Sequence, residues 1–146
     1  MSSDLKPKVN FFFDAVSPKI QDRKGLKAFI LSIFKRESKK LEILNYVFSN
    51  DKSVQRINKE YLNHNALTDI ITFQLSEKNR PIIGEVYISV DRVRENATNY
   101  GASFKNELHR VIFHGALHLC GFNDKTESEI TEMRKKEGYY LTRYLG

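Results

Sequence analysis

The segment 103–120 is the feature that most restricts the fold, because it is the least polar helical stretch of the chain. Ser103 is a suitable N-cap, and Gly121 can adopt the left-handed conformation that ends a helix. Apolar residues recur between them at helical spacing, and they are Leu108, Val111, Ile112, Leu117 and Leu119. We expect a helix of this composition to be the central element of the fold.

The rest of the chain alternates between strand-like and helix-like patterns. Aromatic and β-branched runs predict strands at 9–16, 41–48, 69–75 and 82–89, the last two joined as a hairpin. Helical spacing and capping residues predict helices at 21–37, 51–62, 91–100 and from Thr126 to about Tyr144. With the central helix, these elements predict an α+β fold: one domain over residues 1–146, a four-stranded mixed sheet and about five helices.

Length and composition exclude several classes of protein. A chain of 146 residues is long enough for one domain with its own core. No apolar run approaches the roughly 20 residues that cross a bilayer, and the first ten residues lack the apolar core of a signal peptide. Cys120 is the only cysteine, so it has no disulfide partner within the chain. We expect a cytoplasmic protein without a membrane partner.

Positive charge is concentrated in the segment 19–40. The chain has 24 Lys and Arg against 18 Asp and Glu, which gives a formal net charge of +6. The segment holds eight basic residues but only Asp22 and Glu37 as acidic ones, so its excess equals that of the whole chain. This excess suggests a polyanionic partner.

The central helix carries a metal-ligand pattern, His114-Gly-Ala-Leu-His118. Two histidines four residues apart lie on one face of a helix, so both imidazoles can bind one metal ion. Gly121 ends the helix and lets the chain turn back, which offers Asp124 as a third ligand. Three protein ligands leave one coordination position open, as in catalytic zinc sites. Zn²⁺ is therefore the favoured ion, although such a ligand set also accepts other divalent metals.

Residue 115 separates two possible chemistries. The spacing of ligands and glycine also fits the zinc metalloprotease pattern H-E-x-x-H-x-x-G-x-x-H. Proteases of that kind use the glutamate after the first histidine as general base, and this chain has Gly115 there. A glycine costs about 1 kcal/mol within a helix, so its presence needs a compensating reason. Close approach of substrate or of neighbouring backbone is the expected one. A metalloprotease remains an alternative hypothesis that lacks its base.

The run HGALHLCGFND at residues 114–124 resembles the signature H-G-x-L-H-L-x-G-[YF]-D-H of the YbeY family. Further upstream, Ile57-Asn58 with Tyr61, and then residues 68–73, are similar to the family's segment L-N-x-x-Y…T-[DN]-V-L-S-F. Residues 84–89 are similar to its strand G-D-I-x-I-S, and residues 107–109 fit the helix before the signature. The resemblance is close over residues 57–124.

This resemblance implies the activity of the family, which consists of bacterial metal-dependent endoribonucleases involved in rRNA maturation. We therefore expect a single-strand-directed endoribonuclease that acts in rRNA maturation and ribosome quality control. Its implied partners are ribosomal RNA and the small ribosomal subunit. The chemistry expected from the residues is attack on a phosphate by a metal-bound water held by His114, His118 and Asp124.

Two residues depart from the family pattern. Asp124 stands where the family usually has a third histidine, and a carboxylate can still be a zinc ligand. Leu62 stands where the family usually has an arginine that is thought to contact RNA or assist cleavage. The second departure keeps open another alternative, a non-catalytic ribosome-binding assembly factor.

The remaining candidates rest on residue type and charge. His64 and His109 are candidate catalytic bases, although a packing or supporting role is favoured for His109. Because a site that cuts RNA needs a surface that binds phosphates, we expect the basic segment 19–40 to contact the RNA backbone. The residues predicted to bind RNA are Lys24, Lys27, Lys35 and Arg36.

Overall fold

The computed structural model describes residues 6–146. Its strands are β1 (Lys8–Phe13), β2 (Leu41–Ser49), β3 (Ile70–Gln74) and β4 (Ile82–Ser89). Its helices are α1 (Arg23–Arg36), α2 (Asp51–Leu62), α3 (Val90–Tyr100), α4 (Phe104–Leu119) and α5 (Glu127–Leu145). The predicted α+β architecture, with four strands and five helices, is confirmed.

The four strands form one mixed sheet in the order β1-β2-β4-β3. Strands β1, β2 and β4 run parallel, whereas β3 runs antiparallel to β4. The polar connection between Gln74 and Ile82 makes this antiparallel pair a hairpin, as its composition predicts. The predicted mixed sheet is thus present, with its antiparallel strand at one edge.

Capping residues set most of the element ends. Ser103 accepts a hydrogen bond from the backbone of Asn106 at the start of α4, and Thr126 forms a capping box with Glu129 at the start of α5. The largest difference from a predicted boundary is at β1, which ends at Phe13 rather than at residue 16. The reason is local: Ala15 has φ 62°, a left-handed conformation that interrupts a strand.

Helices α4 and α2 lie on opposite faces of the sheet. Successive strand residues point to opposite faces, and on β4 the side chain of Val86 lies against Gly115 of α4. The next residue, Tyr87, instead packs on Phe73, which in turn contacts Tyr61 of α2. The face that carries α4 therefore also carries the histidine motif.

Helix α4 is the central element that its composition predicts. It packs against α1, α3, α5 and the sheet, and its core residues are almost fully buried. The Tyr46 hydroxyl on β2 donates to the carbonyl oxygen of Ile112 at 2.8 Å, which ties the helix to the sheet. Among residues 6–146, no helix combines the length and the apolar character needed to cross a membrane.

Cys120 is buried at the end of α4 and forms no disulfide. Burial raises the pKa of its thiol to about 12, so the sulfur stays protonated at neutral pH. Only the thiolate is a good metal ligand. Cys120 is therefore a small core residue, as its position two residues after His118 predicts.

Candidate metal centre and its cleft

His114 lies between two carboxylates. Its Nδ1–H donates to Oε2 of Glu137 on α5 at 2.7 Å, and its Nε2 lies 3.3 Å from Oδ2 of Asp124. The Glu137 side chain is only 2% exposed, whereas that of Asp124 is 44% exposed and faces solvent. Glu137 therefore orients the imidazole from the buried Nδ1 side, and Asp124 lies at the Nε2 side near the surface.

This pairing suits a metal ion. Because Nδ1 keeps its proton and donates it in a hydrogen bond to Glu137, Nε2 presents a lone pair towards the Asp124 carboxylate, and a cation between these two atoms would bind both. Two ligands of a tetrahedral zinc ion, each about 2.0–2.2 Å from it, stand about 3.4 Å apart. The 3.3 Å between Nε2 and Oδ2 matches that spacing. The donor set thus fits a divalent ion.

The turn after α4 brings Asp124 back to His114. Gly121 has φ 107°, and its N–H donates to the carbonyl of His118 at 3.0 Å. The next N–H, that of Phe122, donates to the carbonyl of Leu117 at 3.1 Å, which completes a Schellman-type end. The glycine therefore has the conformational role that the sequence predicts for it.

His118 lines the same cleft as His114 and Asp124, which has a volume of about 340 Å³. Within residues 6–146, no three His, Cys, Asp or Glu side chains already form a complete metal-ligand group. His114 and Asp124 thus lie within 3.3 Å of each other, and His118 lines the same cleft. Burial, and then the charge of His114, lower the pKa of His118, so its imidazole is neutral as a ligand must be.

Arg110 balances the buried negative charge behind His114. Its Nη1 lies 3.0 Å from Glu137, and its Nη2 lies 2.5 Å from Glu107 one turn earlier. Burial alone would raise the pKa of Glu137, but the hydrogen bond from His114 and the charge of Arg110 lower it. Glu137 is therefore a carboxylate at neutral pH, which is the form that holds the proton on Nδ1.

Neither Glu137 nor Arg110 is marked by a sequence motif. Glu137 lies 23 residues after His114 and reaches it only because α5 packs along α4. An acidic residue on the inner face of an otherwise exposed helix is the only hint of this role. These two residues are the part of the site that sequence reasoning missed.

Gly115 is explained by the sheet. A Cβ atom at this position would lie 3.0 Å from Val86 and 3.2 Å from Ile70, both on the sheet beneath the helix. A glutamate here would enter the packed interface instead of the cleft, where a protease needs its base. The close approach expected at Gly115 is thus made by strand side chains, and the geometry disfavours the metalloprotease alternative.

Three further residues shape the cleft around the histidines. Thr72 and Asp69 line it from β3 and from the residue before that strand, and Tyr100 stands at its edge with 62% of its surface exposed. Burial raises the pKa of Asp69, partly offset by the positive charge of Arg110. The cleft therefore offers a protonatable carboxyl and an exposed aromatic ring beside the proposed ligands.

The two candidate bases lie outside this cleft. His64 is exposed just after α2, the helix on the other face of the sheet. His109 is buried, and its Nδ1–H donates to the carbonyl of Lys105 at 2.7 Å while its ring stacks on Tyr144. The favoured packing role of His109 agrees with these contacts, and neither histidine lines the cleft.

The basic face predicted on α1 is largely exposed. Lys24, Lys35 and Arg36 are exposed, whereas Lys27 is half-buried with its ammonium 5.2 Å from the ring of Phe11. None of the four lines the cleft. Their role in RNA binding stays a prediction.

A histidine oriented by a buried carboxylate, with an open cleft before it, is the arrangement that mononuclear hydrolytic metalloenzymes use. The comparisons with known proteins agree with this class. A sequence model of the family "Endoribonuclease YbeY" matches residues 15–145, which is most of the chain. The chain belongs to the YbeY endoribonuclease family.

Curated relatives support the same assignment. "Endoribonuclease YbeY" of Amoebophilus asiaticus is 42% identical over 137 residues, covering 92% of this chain and 93% of the relative. The protein of the same name from Cytophaga hutchinsonii is 40% identical over 139 residues, covering 94% and 97%. A solution structure of a Thermotoga maritima protein is similar as well, with a TM-score of 0.62, 26% identity and coverage of 91% and 86%.

Proposed function

We propose that this chain is a metal-dependent endoribonuclease that cuts single-stranded RNA in rRNA maturation and ribosome quality control in the cytoplasm. The observation that carries the proposal is the position of His114 between Glu137 and Asp124 at an open cleft. Membership of the YbeY family supplies the substrate class, since the curated relatives are named endoribonucleases. The small ribosomal subunit is the proposed place of action.

The proposed ligands of one divalent ion, proposed to be Zn²⁺, are His114, His118 and Asp124. The first and last are already at ligand spacing, and His118 lines the same cleft. When bound there, the ion would lower the pKa of a coordinated water and polarise a phosphate oxygen. An Asp in place of the family's usual histidine adds one negative charge to the ligand set.

The chain's own residues supply the rest of the site. Glu137 holds the proton on Nδ1 of His114 and so keeps Nε2 free for the ion, while Arg110 balances the charge of Glu137. Tyr100 offers an exposed ring on which an unpaired base can stack, which favours single-stranded over duplex RNA. Asp69 gives the cleft a carboxyl outside the proposed ligand set.

The double variant His114→Ala, His118→Ala tests the proposal. We expect purified wild type to carry about one metal ion per chain and to cleave a structured RNA within its single-stranded loops. The double variant should keep the wild-type circular dichroism spectrum but lose both the metal and the cleavage. Elemental analysis and a gel assay measure the two properties.

His64→Ala is the matched control, since it removes an exposed imidazole outside the cleft. This variant should keep its metal, and a loss of cleavage with metal retained would return His64 to the role of catalytic base. Stoichiometric metal in the double variant would refute the ligand assignment. Binding to the small subunit by fully metallated wild type without any cleavage would favour the non-catalytic assembly factor that Leu62 keeps open.

A further inference from the structure

A second cavity, of about 590 Å³, opens between the loop that follows α1 and the β3–β4 hairpin. Its lining includes four exposed basic residues, here named the basic rim: Lys39, Lys40, Lys78 and Arg80. The lining residues in the described part of the chain include no Asp or Glu. The cavity is therefore a concave surface of one charge sign, which attracts anions.

Backbone pairing holds the two halves of the basic rim together. The N–H of Ile82 donates to the carbonyl of Lys40 at 2.8 Å, and Leu41 is the register partner of Ile82 in the sheet. Lys40 and Ile82, which are far apart in the sequence, are thus fixed beside each other at the start of neighbouring strands. The sheet register therefore holds the loop that carries Lys39 and Lys40 beside the end of the hairpin connection that carries Lys78 and Arg80.

The charges of the basic rim are not neutralised within the structure. Across residues 6–146, none of the four takes part in an ion pair. The acidic residue nearest to them on the loop after α1, Glu37, is engaged by Lys136 at 3.0 Å and by the hydroxyl of Tyr140. Glu77, in the hairpin, does not line the cavity.

The basic rim adjoins the cleft of the proposed metal centre. Thr72 lines the cleft and Gln74 lines the second cavity, and these residues point to the same face of β3 about 7 Å apart. On α4, His118 lines the cleft and the next residues, 119–121, line the second cavity. One extended strand can therefore pass from the cleft into the second cavity.

Without a bound metal ion, the cleft attracts phosphate only weakly. It contains the carboxyl groups of Asp69 and Asp124, the buried Arg110 that is already bound to Glu107 and Glu137, and the exposed Arg134, which lies 3.5 Å from Glu137. A polyanionic substrate therefore needs free cations beside the cleft. The basic rim is the adjoining surface that has them.

We propose that the basic rim binds the phosphate backbone of single-stranded RNA on one side of the cleavage site. This inference rests on the proposed function, because it requires one RNA strand to lie in both the cleft and the second cavity. The rim fixes the path of the strand, and the cleft holds the phosphate to be cut. Recognition by the rim is of the backbone and is independent of base sequence.

Replacing all four rim residues by glutamine tests this path. The probe is a labelled 12-nucleotide single-stranded RNA with 2′-O-methyl groups, which prevents cleavage, and binding is followed by fluorescence anisotropy at several salt concentrations. We expect at least tenfold weaker binding at low salt. The slope of log K against log salt should become shallower by about 3, since each of four phosphate contacts on a single strand contributes about 0.7.

The matched control carries the same change in charge on other surfaces. It replaces Lys52, Arg56 and Lys59 of α2 and Lys105 of α4 by glutamine, all exposed and outside both cavities, and we expect it to bind within about threefold of wild type. Thermal unfolding verifies that both variants remain folded. A control that loses as much affinity as the rim variant would overturn the proposal, because overall charge would then explain the effect.

The remaining outcomes separate this inference from the proposed function. Wild-type affinity and salt slope in the rim variant would overturn the rim proposal alone, even if the metallated protein cleaves RNA. If metallated wild type binds the probe through the rim but cuts no unmodified RNA, the nuclease proposal fails and the rim stands as a binding surface. No binding of the probe by wild type would overturn the rim proposal.

Discussion

Both halves of α4 carry histidines, and their neighbours give the imidazoles of His109 and His114 different properties. His109 lies in the first half, stacked on Tyr144 with ring centroids 5.5 Å apart, and Phe113 meets its edge. His114 lies five residues later, and its neighbours are the carboxylates of Glu137 and Asp124 instead of aromatic rings. The same helix thus holds His109 as a core residue and His114, with His118, as a proposed ligand.

The difference lies in what surrounds each ring. Both histidines donate from Nδ1 at 2.7 Å, but His109 donates to a neutral backbone carbonyl and His114 to a buried carboxylate. Burial lowers the pKa of His109, and the structure gives it no carboxylate partner among residues 6–146. A carboxylate behind a ring strengthens the opposite nitrogen as a ligand, whereas an aromatic neighbour only packs.

Arg110 lies between these two regions, and its loss should have the largest effect. Replacing it by methionine removes the guanidinium bound to both Glu107 and Glu137, each about 98% buried. Glu107 would then be buried without its cation, and Glu137 would keep the more distant Arg134, at 3.5 Å, and the hydrogen bond from His114. We expect Arg110→Met to lower the free energy of unfolding by about 3–5 kcal/mol, measured by urea denaturation at pH 7.

Arg56→Met is a suitable control, because Arg56 is exposed on α2. This variant should change stability by less than about 0.5 kcal/mol. If Arg110→Met were equally mild, the two carboxylates would have to be protonated or hydrated in the native protein. Raising the pH from 5 to 8 would then destabilise the variant further, which a pH series can detect.

Glu137→Gln should have a smaller effect that is confined to the His114 region. The amide can still pack in the same space, but it removes the negative charge that holds the Nδ1 proton and strengthens Nε2. We expect the affinity for Zn²⁺ to fall by about 10–100-fold, measured by competition with a chromophoric chelator. The stability of the metal-free protein should change less than in Arg110→Met.

Glu132→Gln provides the same chemical change on the exposed side of α5. Its zinc affinity should equal that of wild type within about twofold. Equal affinity in Glu137→Gln would mean that Glu137 serves packing alone, and the contrast between the two histidines would lose its basis. Rescue by Glu137→Asp, with a shorter carboxylate, would indicate how strictly the position of the charge matters.

The parts of this site that the sequence predicts are those close together in the chain. His114, His118, Gly121 and Asp124 fall within 11 residues, so helix geometry and one glycine turn are enough to bring them together. The caps at Ser103 and Thr126 are equally local, which is why the helix starts agree with the structure. The resemblance to the YbeY family includes this same segment.

What the sequence does not predict depends on packing between distant elements. Glu137 and Arg110 meet only where α5 lies along α4, and no spacing rule connects residues on two packed helices. His64 and His109 are candidates by residue type alone, and type does not tell whether a ring faces a cleft, solvent or a core. The β1 boundary was also misplaced, because the left-handed conformation of Ala15 has no signature in its side chain.

His109→Phe gives the smallest expected effect and isolates the first half of α4. Phenylalanine keeps the stack on Tyr144 but cannot be protonated, while Lys19, Asp22 and Lys105 face the same cavity in both proteins. Because the folded-state pKa of His109 lies below its unfolded value of about 6.5, its neutral form is fully compatible with folding above that pH. As the pH falls below 6.5, the unfolded chain takes up a proton that the folded chain resists, and wild type loses stability.

We therefore expect the stability of wild type, relative to His109→Phe, to decline between pH 7 and pH 5 by at most about 1.4 kcal/mol per pH unit, the limit for one proton. Urea denaturation of both metal-free proteins at pH 7, 6 and 5 measures this difference, with His64→Phe as the control for an exposed imidazole. Parallel pH profiles for wild type and His109→Phe would mean that His109 is protonated as readily in the folded protein as in the unfolded chain. Its aromatic surroundings would then not keep it neutral, and the two halves of α4 would differ only in geometry.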